Sequence, residues 1–303
     1  MRISTSTLFD SGMARMTSLQ SKIDRTSQQL GADKRILSVG DDPAAATQVL
    51  ELQQSAARND QYARNRTSLK NSLMAADGAM SGMVDALQTV HEQVMGAGND
   101  ALSDDERGAI AKVLQVQYDQ LLSLANSQDS AGNYLFSGHQ TAKPPFVADA
   151  DGNLNYQGDL GQQFIPVDSS RKVAMHEPGS ALLPEQDGAN IFSRLKDAIA
   201  ALGPDQTAET RNQALAVLGD SFESTLASVT RSQVTIGIKL NDLDQLDTQG
   251  SDRALRIADA SSSLQDLDYI AALSDLSLQK TTLEVAQKSF QQVSRLSLFN
   301  YLN

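Results

Sequence analysis

Both ends of this chain carry a helix-forming apolar stripe that runs almost to the terminus, and neither has a local core in which to bury it. Behind Ile3, the residues Met16, Leu19, Ile23 and Leu30 recur at spacings of three, four and seven. Near the finish, Leu276, Leu283 and Phe290 recur every seven residues. Leu273, Lys280, Ala286 and Val293 fill a second stripe position, followed by Leu296, Leu298 and Leu302. Such spacing is the seam of a coiled coil, so these ends require a second surface.

Energetics make the same demand. Beyond Met1, ten large apolar side chains occur in residues 1–37: Ile3, Leu8, Phe9, Met13, Met16, Leu19, Ile23, Leu30, Ile36 and Leu37. Burying each returns about 1.5–3 kcal/mol, while ordering the backbone costs about 1–2 kcal/mol for every residue in the stretch. The segment is therefore expected to stay disordered until a partner covers it. The alternative is that the two terminal helices pair with each other inside one monomer.

Composition narrows the function classes. A formal charge of −12, from 37 acidic and 25 basic residues, repels phosphate backbones, which argues against nucleic acid as a partner. Cysteine is absent, so disulfides, thiolate catalysis and zinc–thiolate sites are excluded. No apolar run has the length of a bilayer span, and the start, Met1-Arg2-Ile3-Ser4-Thr5, lacks a secretory signal's apolar segment. Sequence signals alone thus read as cytoplasmic, without membrane insertion.

Helical patterns occupy most of the remainder. The first segment ends near Gly31, and Asp42-Pro43 reads as a helix start, with a capping carboxylate and proline at the first helical position. From Leu69 a heptad runs through Leu73, Ala76, Met80, Met83, Leu87, Val90 and Val94 and breaks at Gly96-Ala97-Gly98. Ser103-Asp104-Asp105-Glu106 has the form of a capping box ahead of Ile110, Leu114, Leu121 and Leu124. A short helix with Phe192, Leu195, Ile199 and Leu202 stops at Gly203-Pro204, and a long pattern follows from Leu215 to Leu243.

Between Ser137 and Pro184 the character changes. Five of the seven prolines fall there, which makes helix improbable. The short runs Pro145–Val147, Leu154–Tyr156, Gln163–Ile165 and Lys172–Met175 predict a small antiparallel sheet. The chain is thus expected to be mainly α: an elongated, coiled-coil-like helical rod with a small inserted antiparallel β domain, and with both termini together at one end. The expected segments are 1–42, a terminal helix; 43–136, the outgoing rod; 137–188, the β-rich insert; 189–263, the returning rod; and 264–303, the second terminal helix.

Motifs for chemistry fail on context. Asp149-Ala150-Asp151-Gly152-Asn153 begins like a calcium loop, but Leu160 stands where a bidentate glutamate belongs, so a hairpin turn is expected. His91, His139 and His176 show no ligand spacing. Gly96-Ala97-Gly98 follows a helix, not a strand, and reads as a helix break instead of a dinucleotide loop. Asn65-Arg66-Thr67 matches a glycosylation acceptor but lies in a predicted helix. Asp41-Asp42 and Asp104-Asp105 sit at helix starts, where capping accounts for them better than acid–base catalysis. No catalytic, cofactor-binding or metal residue is assigned.

Longer stretches resemble a known family. The opening Met1-Arg2-Ile3-Ser4-Thr5, then Gln29–Ile36 and Asp41–Ala46, resemble the N-terminal region of the bacterial flagellin superfamily. At the other end, Asp266–Ser274 and Leu296–Leu302 are similar to its C-terminal motifs, and Asn133–Gly138 with Pro144-Pro145-Phe146 to its passage into the variable domain. The Arg-Ile-Ser-Thr start and Phe-Asn-Tyr-Leu finish resemble the branch that joins hook to filament more than filament flagellin. Thr89 and His91 stand where flagellins carry arginines, which weakens any carry-over of immune receptor binding.

The resemblance implies a non-enzymatic structural adaptor of the bacterial flagellum, exported through the flagellar type III channel and extracellular. Filament-forming flagellin is the alternative. Implied partners are a first hook–filament junction protein, flagellin, further copies of this chain in a ring-like layer, and an export chaperone on the C-terminal helix. Its export signal would lie within residues 1–42. The expected assembly interface is Ile3, Met16, Leu19, Ile23, Leu30, Leu273, Leu276, Leu283, Phe290, Val293, Leu296 and Leu298.

Overall fold

Local capping chemistry sets the helix starts seen in the structure, a computed structural model that describes residues 5–149, 153–175 and 177–302, the side chains of 5, 6, 8 and 293–302 excepted. Helix α1 (Thr5–Ala32) is followed by α2 (Pro43–Ala97), whose first turn is capped by Asp42 Oδ1 accepting from the Ala45 amide at 3.1 Å. Proline at the first position sacrifices no hydrogen bond there. The seam from Leu69 therefore lies in one helix that begins far upstream of it. At its end, the Gly98 amide donates to the Val94 carbonyl, as the glycine break predicts.

Helix α3 (Asp104–Ala125) opens on the expected reciprocal box. The Ser103 amide donates to Glu106 Oε2 at 2.8 Å and the Glu106 amide to Ser103 Oγ at 3.3 Å. Next come four strands: β1 (Phe146–Ala148), β2 (Leu154–Tyr156), β3 (Phe164–Pro166) and β4 (Lys172–Ala174). Each overlaps a run foreseen from sequence, but they form two separate hairpins, β1–β2 and β3–β4, instead of one sheet. Phe146 pairs with Tyr156, and Phe164 with Ala174. The first hairpin closes where Asp149 and Asn153 bond to each other, which accounts for the pseudo-calcium sequence; residues 150–152 lie outside the described residues.

One element corrects the sequence expectation. Among the prolines stands a single helical turn, α4 (Gly179–Leu182), which starts immediately after Pro178. Proline excludes a helix interior but not the residue preceding a helix, so a one-turn helix fits there. Helices α5 (Ile191–Ala201), α6 (Ala208–Gln265) and α7 (Tyr269–Leu302) complete the chain. Helix α6 extends well beyond the apolar pattern at both ends.

Two compact units result. A central unit spans Asn59–Ser251, and a terminal unit joins Met1–Arg58 with Asp252–Asn303. The divisions fall deep inside α2 and α6, whereas the sequence-based boundaries 42/43 and 263/264 lie at the start of α2 and two residues before the end of α6. Helix ends are visible as caps. The end of a core within a continuous helix is not.

In the central unit α2 and α6 run antiparallel, with His91 stacked on Phe222 at 4.5 Å and Lys70 bridging to Asp247 at 2.6 Å. Leu69, Met80, Met83 and Leu87 of α2 pack with Leu114 and Leu121 of α3, Leu195 of α5 and Leu218 and Leu243 of α6. Aromatic rings join the insert to this core, Phe146 lying 5.5 Å from Phe192 and 5.4 Å from Tyr156. Asn126 ends α3 and exchanges both amide hydrogen bonds with Phe146, fixing where β1 begins. Gly138 is left-handed at φ 72° and packed on Asp159, so a side chain there would meet both strain and a clash.

Candidate assembly interface

The terminal unit is organised around the face that α1 shares with α7. Phe9 and Phe290 meet with ring centroids 4.7 Å apart, and a Cβ at Gly12 would come 3.0 Å from Phe290. Met16, Leu19, Ile23 and Leu30 of the expected interface are half-buried on α1, and Thr26, one turn beyond Ile23, is buried. On α7, Leu276 and Leu283 share the heptad face of Phe290, and all three are half-buried. Leu273 stays half exposed at 50%. Ile3, and the side chains of Val293, Leu296 and Leu298, lie outside the described residues. The arrangement is the pairing of the two ends within one chain.

That pairing is incomplete. A cleft of about 460 Å³ remains between the helices, lined by Met13, Met16, Gln20, Gln287 and Phe290 among others. Phe9 still exposes 49% of its surface and Met13 48%. More telling is the far side of α7. Leu278 and Val285 lie about 200° around the helix from Leu276 and Leu283 at 3.6 residues per turn, exposed 66% and 57%, with Ile270 beside them at 84%. Helix α7 is thus apolar on two sides, of which α1 covers one. The covered stripe is the one whose heptad is regular in the sequence. The open stripe is interrupted by Ser274 and Thr281, and only the placement of α1 distinguishes the two.

Connectors hold the pair in place. Between α1 and α2, Asp41 Oδ2 accepts the amides of Leu37 and Ser38 at 2.9 and 3.0 Å, and its Oδ1 pairs with Arg25 at 2.6 Å. These bonds, from Leu37 first, hold the Asp41 carboxyl below its ordinary range. The Ala45 amide does the same for Asp42, with help from Arg35. Arg35 then reaches the C-terminal end of α6: its amide donates to the Gln265 carbonyl at 2.7 Å and its Nη2 to the Leu264 carbonyl at 2.9 Å. Asp268 Oδ1 caps α7 through the Ala271 amide. The acidic pair Asp41-Asp42 singled out in the sequence therefore consists of structural acceptors, whereas at α3 the cap is made by Ser103 and Glu106.

Elsewhere the geometry offers little for small-molecule chemistry. Among the described residues, no group of three or more His, Asp or Glu is placed to hold a metal. No helix among them is long and apolar enough to cross a membrane. His176 lies outside the described residues, while His91 and His139 sit apart in α2 and in the loop before β1.

Comparison with known proteins agrees with this architecture. Residues 3–141 match the model of the bacterial flagellin N-terminal helical region. Flagellar hook-associated protein 3 of Salmonella typhimurium is 33% identical over 316 aligned positions, covering 99% of this chain and 99% of its own. The Escherichia coli protein of the same name matches with the same identity and coverage. The crystal structure of the flagellar junction protein FlgL from Legionella pneumophila superposes with a TM-score of 0.60 at 19% identity, covering 72% of this chain and all of that one, and so shares the fold.

Proposed function

The chain belongs to the family of flagellar hook-associated protein 3, and from that premise we propose that it is a structural adaptor joining the hook side of the flagellum to the flagellin filament. It is a component of the extracellular flagellum. The observation that carries the adaptor reading is the second apolar face of α7, at Ile270, Leu278 and Val285. An apolar face left open on a helix whose other face is already paired fits a further helix. Here that helix belongs to a neighbouring copy in a thin layer, with a first junction protein on one side and flagellin on the other.

The remaining assignments follow the same logic. The stripes of α1 and α7, with Ile3, Val293, Leu296 and Leu298 continuing them, form the assembly interface. Order in the terminal unit is completed on assembly, because the pair alone leaves much of its apolar surface wet. The chain leaves the cell unfolded by the flagellar type III route, directed by a signal in residues 1–42. An export chaperone covers the C-terminal helix before assembly. No catalytic role is assigned.

Electron microscopy of isolated hooks incubated with the purified protein, with and without the first junction protein, tests the reading. A short layer on prepared ends is expected, and long seeded filaments would instead mean flagellin. The double variant Leu278→Asp and Val285→Asp should keep the α1–α7 pair yet fail to add to the ends; normal incorporation would overturn the assignment of that face.

A further inference from the structure

In the central unit the apolar seam of α2 runs back to Leu69, and the next seam position toward the N-terminus is an arginine. Arg66 is nevertheless 3% exposed. Its three guanidinium nitrogens face three different places. Nε donates to Asp247 Oδ1 of α6 at 2.5 Å, and Nη1 donates to the Val167 carbonyl, just past β3, at 3.0 Å. Nη2 lies over Gly250, where an added Cβ would come within 2.6 Å of it.

Neighbouring polar groups extend the layer. Lys70 Nζ lies 2.6 Å from both Asp244 and Asp247. Asn59, one heptad before Arg66 and also buried, donates to the Gly250 carbonyl at 3.0 Å. Asn65 donates to the Pro166 carbonyl at 2.8 Å, and Arg171 reaches Asp242 at 2.9 Å. The Val167 amide closes its own hairpin on the Arg171 carbonyl, so both peptide groups of that residue are committed.

Burying a guanidinium carries a desolvation penalty that an apolar side chain of similar size would avoid. What arginine adds is direction, since its planar fork accepts few geometries. Leucines in a seam discriminate poorly between neighbouring registers, whereas a polar residue in the seam specifies one. We propose that Arg66 is a positioning residue that seats the β3–β4 hairpin on the α2–α6 pair and sets the register of those two helices where the apolar core ends. Gly250 belongs to the device. The guanidinium cannot retreat from a side chain at 250 without giving up Asp247 or Val167.

Hydrogen exchange on the full chain tests this. In Arg66→Met, amides in residues 163–175 should exchange at least tenfold faster, while those in 73–94 and 215–243 keep their protection. Gly250→Ala, which leaves every charge in place, should reproduce that local pattern, and Arg66→Lys should not rescue it. Spin labels on cysteines introduced at exposed Met74 and Ile238, in a chain with none of its own, should show a broadened distance distribution in Arg66→Met. Unchanged exchange over 163–175 in both variants would overturn the seating role. Acceleration spread evenly through the central unit would also overturn it, making Arg66 an ordinary core residue. An unchanged label distance would overturn the register role.

Discussion

Leu87, Leu114 and Leu243 of the central unit are fully buried, whereas Phe9 and Met13 of the terminal unit leave about half of each side chain in water and Ile270 most of its own. Both units are built from long helices with heptad-spaced apolar residues, so pattern does not separate them. The number of covering surfaces does. In the central unit α2 meets α3, α6 and the insert, and its stripe is enclosed on every side. In the terminal unit α7 meets α1 along one face and nothing among the described residues along the other. An identical amphipathic signal is thus enclosed as core in one place and left partly open in the other.

This contrast can be broken at several points. The largest effect is expected in the enclosed unit: Phe192→Ala removes a buried ring packed on Phe146 and Tyr118 and should cost about 3–5 kcal/mol by urea unfolding. Phe290→Ala removes a ring of equal size that is only half-buried, and roughly half that cost, about 1.5–2.5 kcal/mol, is expected. Equal costs for the two would show that the terminal pair is as well packed as the core, and the contrast would fail.

A smaller effect separates capping from packing. Ser103→Ala abolishes the box at the start of α3 and should cost about 1 kcal/mol, with faster exchange confined to the first turn of that helix. The smallest effect is electrostatic. Asp41 and Asp42 are held below their ordinary range by hydrogen bonds made only when folded, so the unfolded chain takes up protons first as the pH drops. Their contribution is complete above the usual carboxylate range, near 4, and is lost as the pH falls through the lower folded values. Amide chemical shifts of Leu37 and Ser38 followed from pH 6 downward should move only below about 4, and Asp41→Asn should abolish the transition.

Short-range chemistry was legible from residues alone. The Asp42-Pro43 start, the Ser103/Glu106 box, the break at Gly96 to Gly98 and all four strand runs depend on groups a few residues apart. Asn65-Arg66-Thr67 reads as a glycosylation acceptor within a helix, a pattern that does not mark Arg66 as buried. A signal was present, since extending the Leu69–Leu73–Ala76 seam backward places Arg66, and then Asn59, in buried positions. What sequence could not supply were the acceptors, which lie 101 and 181 residues away.

The sequence by itself determined that this chain is mainly helical, that its middle interrupts helix with short strands, that each end carries an apolar stripe needing a second surface, and which family it resembles. Hydrophobic period, caps and proline placement are local properties, and each is written in adjacent residues. Only the tertiary structure decided which stripe of α7 is already covered, where the core stops within α2 and α6, and that an arginine in the seam is bonded instead of exposed. Those outcomes depend on which surfaces meet between residues far apart in sequence, and an amphipathic pattern states that a face must be covered without stating by what.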